Sequence, residues 1–344
     1  MTTRPAPAAV PRGPGPGTAA SHPGALAAAP RRPGAGSADV APLPFALGYG
    51  TNGLGDHPLP AALDLLEERG YDAVALTLGF PHLDPWAPAA DLAALRDRLA
   101  RAHDGRGMRV VVETGTRYLL DPRRKHAPAL VDADAAPRLA YLRRAVEVAA
   151  ALGAPAVQLF SGVRSAGSTS AAADDRLRDR LPGLVRHAAE HGVRLALEPE
   201  PGMHVETVAD ALRLRADLGD PAALGLTVDV GHCLVVEPGG VTGALAAAGP
   251  ALAHVQIDDM PRTHHDHRPF GEGDLDLPAA LAALAEAAAG PAGYAGVVAV
   301  ELPRHSWDAP RQVAGAAAAI RRAWTHLAAR VPPPDPAPLP RPAR

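Results

Sequence analysis

Four short stretches in the second half of the chain put oxygen-bearing side chains where apolar runs stop. They are "LALEPEP" at Glu198, "TVDVGH" at Asp229, "HVQIDD" at Gln256 and "VAVELPRH" at Glu301. Three carboxylates and an amide oxygen form a hard donor set, suited to one Mn²⁺ or Mg²⁺ and tolerant of Co²⁺ or Zn²⁺. A single carboxylate at a strand end is ordinarily a solvated charge. Four donors in succession are different, because unpaired carboxylates buried near one another are costly without a cation. A histidine-rich run, "THHDHRPFGEGDLDL", follows the third stretch and holds His264, His265 and His267. It is either a metal site in its own right or a loop beside a site built elsewhere. His254 lies two residues before Gln256, on the same strand face and one layer deeper, which suits a buried hydrogen-bonding residue.

Donors from separate strands meet only if the strands are arranged to bring them together. Eight apolar or β-branched runs begin at Phe45, Ala73, Arg109, Ala156, Val193, Leu224, Leu252 and Gly296, with Ala/Leu/Arg/Glu-rich segments of helical spacing between them. Gly70, Gly153, Gly192 and Gly219 stand where such helices would end. Eight strands alternating with helices predict a (β/α)8 TIM barrel, in which functional residues sit at the C-terminal ends of strands. A doubly wound open sheet is disfavoured, since no Gly-x-Gly-x-x-Gly follows the first strand.

Composition bounds the rest. Hydrophobic residues make up 47% of the 344 residues and aromatics only 3%, so a large core must be built from Ala, Val and Leu. A net charge of -3 gives no electrostatic reason to expect nucleic acid or a membrane surface as partner. The single cysteine, Cys233, excludes an internal disulfide, suits a reducing cytoplasm and reads as a small buried side chain. No apolar run is long enough to span a bilayer. Residues 1–42 and 331–344, rich in Pro, Ala and Gly, read as disordered tails around a folded unit at 43–330, and the first is expected to be dispensable. The N-terminal segment is no signal peptide, because prolines and arginines interrupt any apolar core. A homo-oligomer is compatible with all of this.

The motifs "LALEPEPG", "VDVGH", "HVQIDD", "FGEGDLDLP" and "VAVELPRHS" resemble the xylose isomerase-like TIM barrel superfamily. It includes sugar phosphate isomerase/epimerases, hydroxypyruvate isomerase, inosose dehydratase and endonuclease IV. The resemblance implies a metal held by Glu198, Asp229 and Glu301, with Gln256 where many relatives have the second histidine of His-x-His. Hydroxypyruvate isomerases are similar here, with a His-x-Gln-Ile, and an amide oxygen is a competent hard ligand. It further implies an isomerase or epimerase acting on a sugar, sugar phosphate or keto-cyclitol. Chelation of the substrate carbonyl and neighbouring hydroxyl would stabilise an enediolate, with Glu198 and Glu301 as acid and base. Loss of a β-hydroxyl would instead make it an inosose dehydratase-like lyase. An endonuclease IV-like repair enzyme fits less well, since that activity needs three metals and histidines at the ends of earlier strands.

The resemblance points to His232 as a substrate contact, and orienting Asp229 is the alternative role. His267 and Arg268, before "FGEG", and Glu113, ending the third strand, are further candidates for substrate contact. His264 and His265 are either contacts or surface groups. Tyr49 and Asn52 follow the first strand and can line the mouth. Trp86 and Trp307 can wall the pocket or pack on helices. The long segment "ETGTRYLLDPRRKHAPALVD" carries Arg117, Arg123, Arg124, Lys125 and His126 onto the active face. Arg123 and Lys125 are candidates to grip an anionic end of the substrate, or else belong to a solvated basic loop.

Overall fold

The computed structural model describes residues 42–290 and 293–329. The two expected tails lie outside them, apart from Pro42. Strands β1 (Ala46–Gly50), β2 (Ala73–Thr77), β3 (Arg109–Glu113), β4 (Ala156–Phe160), β5 (Arg194–Glu198), β6 (Leu224–Asp229), β7 (Leu252–Ile257) and β8 (Val297–Val300) pair in parallel and in order. β1 pairs with β8, so the sheet is a closed barrel. The helices around it are α1 (Leu59–Glu68), α2 (Ala89–Gly105), α3 (Ala136–Leu152), α4 (Ser170–Glu190), α5 (Val208–Asp217), α6 (Val230–Val236), α7 (Gly240–Ala248), α8 (Leu277–Ala289) and α9 (Ala309–Ala328). No single helix among the described residues is long and apolar enough to cross a membrane.

Side chains two residues apart share a strand face, and that period divides the core in two. Val74, Leu76, Val110, Val112, Leu195, Leu197, Val298 and Val300 belong to the large cluster under the helices. The intervening Ala46, Ala73, Ala75, Val111, Val297 and Ala299 form a separate small cluster inside the barrel. A composition poor in aromatics is thus expressed as a barrel filled with alanine and valine. The next inward positions toward the C-terminal ends are polar: Thr77, Glu113, Gln158, Glu198, Asp229 and Gln256, all buried.

The register between β6 and β7 shifts between Leu226 and Thr227, so β7 carries one extra residue there. Asp229 therefore lies beside Gln256. Without the shift, Val255 would take that place. Gly70, Gly153, Gly192 and Gly219 all adopt positive φ, +67° to +80°, as helix-ending glycines should.

Candidate active site

Glu198, Asp229 and Gln256 are each 2–3% exposed, and Glu301, the residue after β8, is partly buried. Neighbours take up one oxygen of each carboxylate. Gln158 donates to Glu198 Oε2, and Asn52 Nδ2 donates to Glu301 Oε1 at 2.7 Å. Asp229 is the N-cap of α6, its Oδ1 accepting from the His232 backbone N–H at 3.0 Å. The remaining oxygens, Asp229 Oδ2, Gln256 Oε1 and Glu301 Oε2, have no hydrogen-bond partner among the described residues. Buried polar atoms are almost always satisfied, so three orphans on three successive strands mark a place built for something else. Burial pushes the Glu198 carboxyl well above its usual range, and the charges of Glu301, Glu200 and Asp229 push the same way. Burial also raises Glu301, helped by Glu113, Asp229 and Asp258 and opposed by His267. Glu200 is raised to about 7, chiefly by burial. Asp229 is held low despite its burial, by the imidazoles of His232 and His267 and by its capping hydrogen bond.

The histidine run is a loop clamped onto this cage. Asp259 accepts from three backbone N–H groups of its own loop, Met260 at 2.9 Å, Gly271 at 2.7 Å and Leu275 at 2.9 Å. Gly273 must be glycine, because a Cβ there would run into the Asp259 carboxylate and the Met260 backbone. Asp258 points the other way and pairs with His267 Nδ1 at 2.5 Å. His267 Nε2 then lies 2.9 Å from His265 Nε2, which lies 3.1 Å from His232 Nε2. His232 Nδ1 faces the Pro199 carbonyl at 3.3 Å and Glu198 Oε1 at 3.4 Å. Burial lowers His232 to about 4 and His265 to about 3, so both rings are neutral at neutral pH. Burial and the charges of Asp229, Asp259 and Asp266 hold Asp258 well above its usual range. Among the described residues, the potential ligand groups are His232–His265–His267, Glu198–Asp229–His232 and Asp229–Asp258–His267, and none draws on β1–β4.

A cavity of about 580 Å³ opens above the cage. Glu198, Glu200, Glu301, His232, His265 and His267 form its acidic and imidazole side, and Lys125, Arg117 and Arg304 its basic side. Of the sequence candidates, Glu198, Glu301, His232, His267 and Lys125 border the cavity, and Asp229 and Gln256 are buried beside them. Arg123 is exposed and off the wall, in a turn whose Asp121 caps its N–H and pairs with Arg124. Arg268 is drawn away to Asp266 and the Glu272 carbonyl. Glu113 is 2% exposed and does not reach the cavity, because Thr77, His254 and Gln256 surround its carboxylate. His254 is fully buried and hydrogen-bonded, as its place on the strand predicts.

Tyr49 belongs to the core rather than the mouth, edge-on to Tyr71. Trp86 and Trp307 stand exposed outside the cavity. The second half of the basic loop is held in place by Arg138, Arg176 and Arg180 from α3 and α4, which donate to its carbonyls from His126 to Ala133. Sequence reasoning passed over Gln158 and Arg304. Gln158 carried a usable signal, a polar residue inside the apolar run "AVQLF", whereas nothing marks Arg304 before the fold is known.

Fold and site together define a parallel eight-stranded barrel whose functional groups gather at the C-terminal ends of its later strands. The chain belongs to the xylose isomerase-like TIM barrel family, whose profile matches residues 63–324. Similar solved structures include a D-tagatose 3-epimerase-like protein, 19% identical with a TM-score of 0.65, covering 83% of this chain and 99% of that one. The D-allulose 3-epimerase of Methylomonas sp. is 21% identical with a TM-score of 0.63, covering 82% and 98%. The IOLI protein, solved with a bound zinc atom, is 20% identical with a TM-score of 0.61, covering 82% and 98%. At these identities the likeness establishes the shared barrel. No curated protein matches the sequence significantly.

Proposed function

We propose that the protein is a metal-dependent isomerase or epimerase acting on a small polyhydroxylated carbonyl compound, a sugar, sugar phosphate or keto-cyclitol. The observation that carries this reading is the trio of partnerless buried oxygens, on Asp229, Gln256 and Glu301, beside Glu198. One divalent cation, Mn²⁺ or Mg²⁺ by the hardness of the donors, would be held by these four residues. When bound it supplies Lewis-acid stabilisation of an enediolate. The zinc in the IOLI protein and the keto-sugar epimerases among similar structures support the same reading.

The chain's own residues would handle the proton. Glu198 and Glu301 come from β5 and β8, so they approach a bound substrate from different sides. Gln158 and Asn52 each hold one oxygen of these carboxylates and leave the other, Oε1 of Glu198 and Oε2 of Glu301, for the cation and substrate to share. One carboxyl would act as base and the other, protonated, as acid. His232 and His265 add neutral ring nitrogens, and His267 a further ring nitrogen, that can orient substrate hydroxyls. Proton return to the same carbon epimerises, and return to its neighbour isomerises. Buried Cys233, its Sγ donating to the Asp229 carbonyl at 3.1 Å, suits a cytoplasmic protein.

The test is to incubate the Mn²⁺-loaded protein with ketoses, keto-cyclitols and their phosphates in D₂O. Deuterium incorporation with no other change in mass supports the reading, loss of water would make it a dehydratase, and no exchange with any substrate would sink it. The basic wall yields a further expectation for a phosphorylated or acidic substrate. Lys125→Ala should raise KM about tenfold, the loss of one charge-assisted contact, and Arg123→Ala should barely change it. Equal effects of the two substitutions, or equal effects on a neutral analogue, would return the loop to a structural role.

A further inference from the structure

Glu113 is a buried carboxylate that does not line the cavity and has no proton-transfer role of its own beyond helping to raise Glu301. Its Oε2 accepts from Thr77 Oγ1 at 3.3 Å. Its Oε1 accepts from Gln256 Nε2 at 3.0 Å and faces His254 Nε2 at 3.2 Å. β2, β3 and β7 thus meet at one side chain inside the barrel. The contact with Gln256 is directional. A carboxylate can only accept, so the NH₂ end of the amide must face Glu113, and Gln256 Oε1 must face the opposite way. That oxygen is one of the three left without a partner. A glutamine amide has two nearly equivalent orientations about its last torsion, and only one presents an oxygen to a cation.

We propose that Glu113 is a positioning residue that selects the donor atom of Gln256, fixing the amide so that oxygen and never NH₂ points into the cage. This rests on the reading of Gln256 as a ligand. It gives the third strand a part in metal binding from outside the coordination sphere, and it favours oxygen-preferring ions such as Mn²⁺. Removing Glu113 frees the amide to turn its N–H groups toward the cation site, which weakens binding.

Measuring Mn²⁺ affinity by electron paramagnetic resonance of the free ion, with melting of the metal-free proteins as control, separates orientation from charge. Glu113→Leu should weaken Mn²⁺ binding about 10- to 100-fold, the usual effect of losing a residue that orients a ligand. The same substitution made together with Gln256→Glu should cost nothing relative to Gln256→Glu alone, because a carboxylate offers oxygen at either end. Glu113→Gln, which keeps an accepting oxygen but no charge, should stay within about threefold of wild type, and it also serves if Glu113→Leu does not fold. An equal loss for Glu113→Leu in both backgrounds, or a loss in Glu113→Gln as large as in Glu113→Leu, would show a charge effect and overturn the proposal. So would unchanged affinity in Glu113→Leu. Wild-type protein that binds no stoichiometric Mn²⁺ would overturn the cage itself and this inference with it.

Discussion

Glu198→Gln and Glu301→Gln should each lower kcat on the true substrate by about 10²- to 10⁴-fold, the range over which a positioned acid or base contributes. An amide keeps the shape and can keep the hydrogen bond from Gln158 or Asn52, so the fold should survive. It can neither take a proton from carbon nor return one. The two losses should not add, because one half of a proton shuttle is useless without the other. Removing both carboxylates altogether, in Glu198→Ala/Glu301→Ala, should also abolish metal binding, since Asp229 and Gln256 alone leave two donors. Metal analysis of the purified proteins decides this. One equivalent of cation retained by the double alanine variant would refute the cage, whatever the activity.

The metal-free protein should melt at lower temperature at pH 8 than at pH 6.5, and saturating Mn²⁺ should remove the difference. Glu198, Glu301 and Asp258 have folded-state pKa values well above their usual range, and Glu200 is raised to about 7. Groups raised in this way bind more protons folded than unfolded, so stability declines as pH climbs through the folded values. Below about pH 6.5 the neutral buried rings of His232, His265 and His126 contribute with opposite sign, because the unfolded chain protonates them first. Above that pH the raised carboxylates dominate, and burial of the Cys233 thiol acts in the same direction. Glu200 titrates within this window and the other three carboxyls lose stability across it, so the melting temperature should fall. A divalent cation pairs with the ionised carboxylates and so reverses the trend. A metal-free melting temperature that rises from pH 6.5 to pH 8 would rule this out.

Much of the barrel was legible in advance because its strands are short apolar or β-branched runs, four of them preceded by the helix-ending glycines Gly70, Gly153, Gly192 and Gly219. The cage candidates were legible for a related reason, since a carboxylate that ends an apolar strand stands out against its neighbours. Contacts that join distant parts of the chain were not. Glu113 reads as a strand-end acid like Glu198, and only the closed barrel turns it toward Gln256, 143 positions away. Arg304 becomes visible on the basic wall only once the loops after β3 and β8 are brought together. Arg123 and Lys125 look alike in the sequence, yet the turn around Asp121 sends one outward and leaves the other at the cavity.

The cavity divides its labour by strand number. Its carboxylates and three of its five imidazoles come from β5–β8 and their loops, and most of its cationic wall from the loop after β3, anchored by arginines of α3 and α4. Such modularity has an evolutionary corollary. Thr114, which holds Gln158 in place against Glu198, ties the start of the segment between β3 and α3 to the proton chemistry. Beyond it the segment can drift, lengthen or be exchanged, so a lineage can change what it recognises while keeping how it reacts. A barrel partitioned in this way is a natural starting point for gene duplication followed by divergence in substrate, and for laboratory recombination of a single loop.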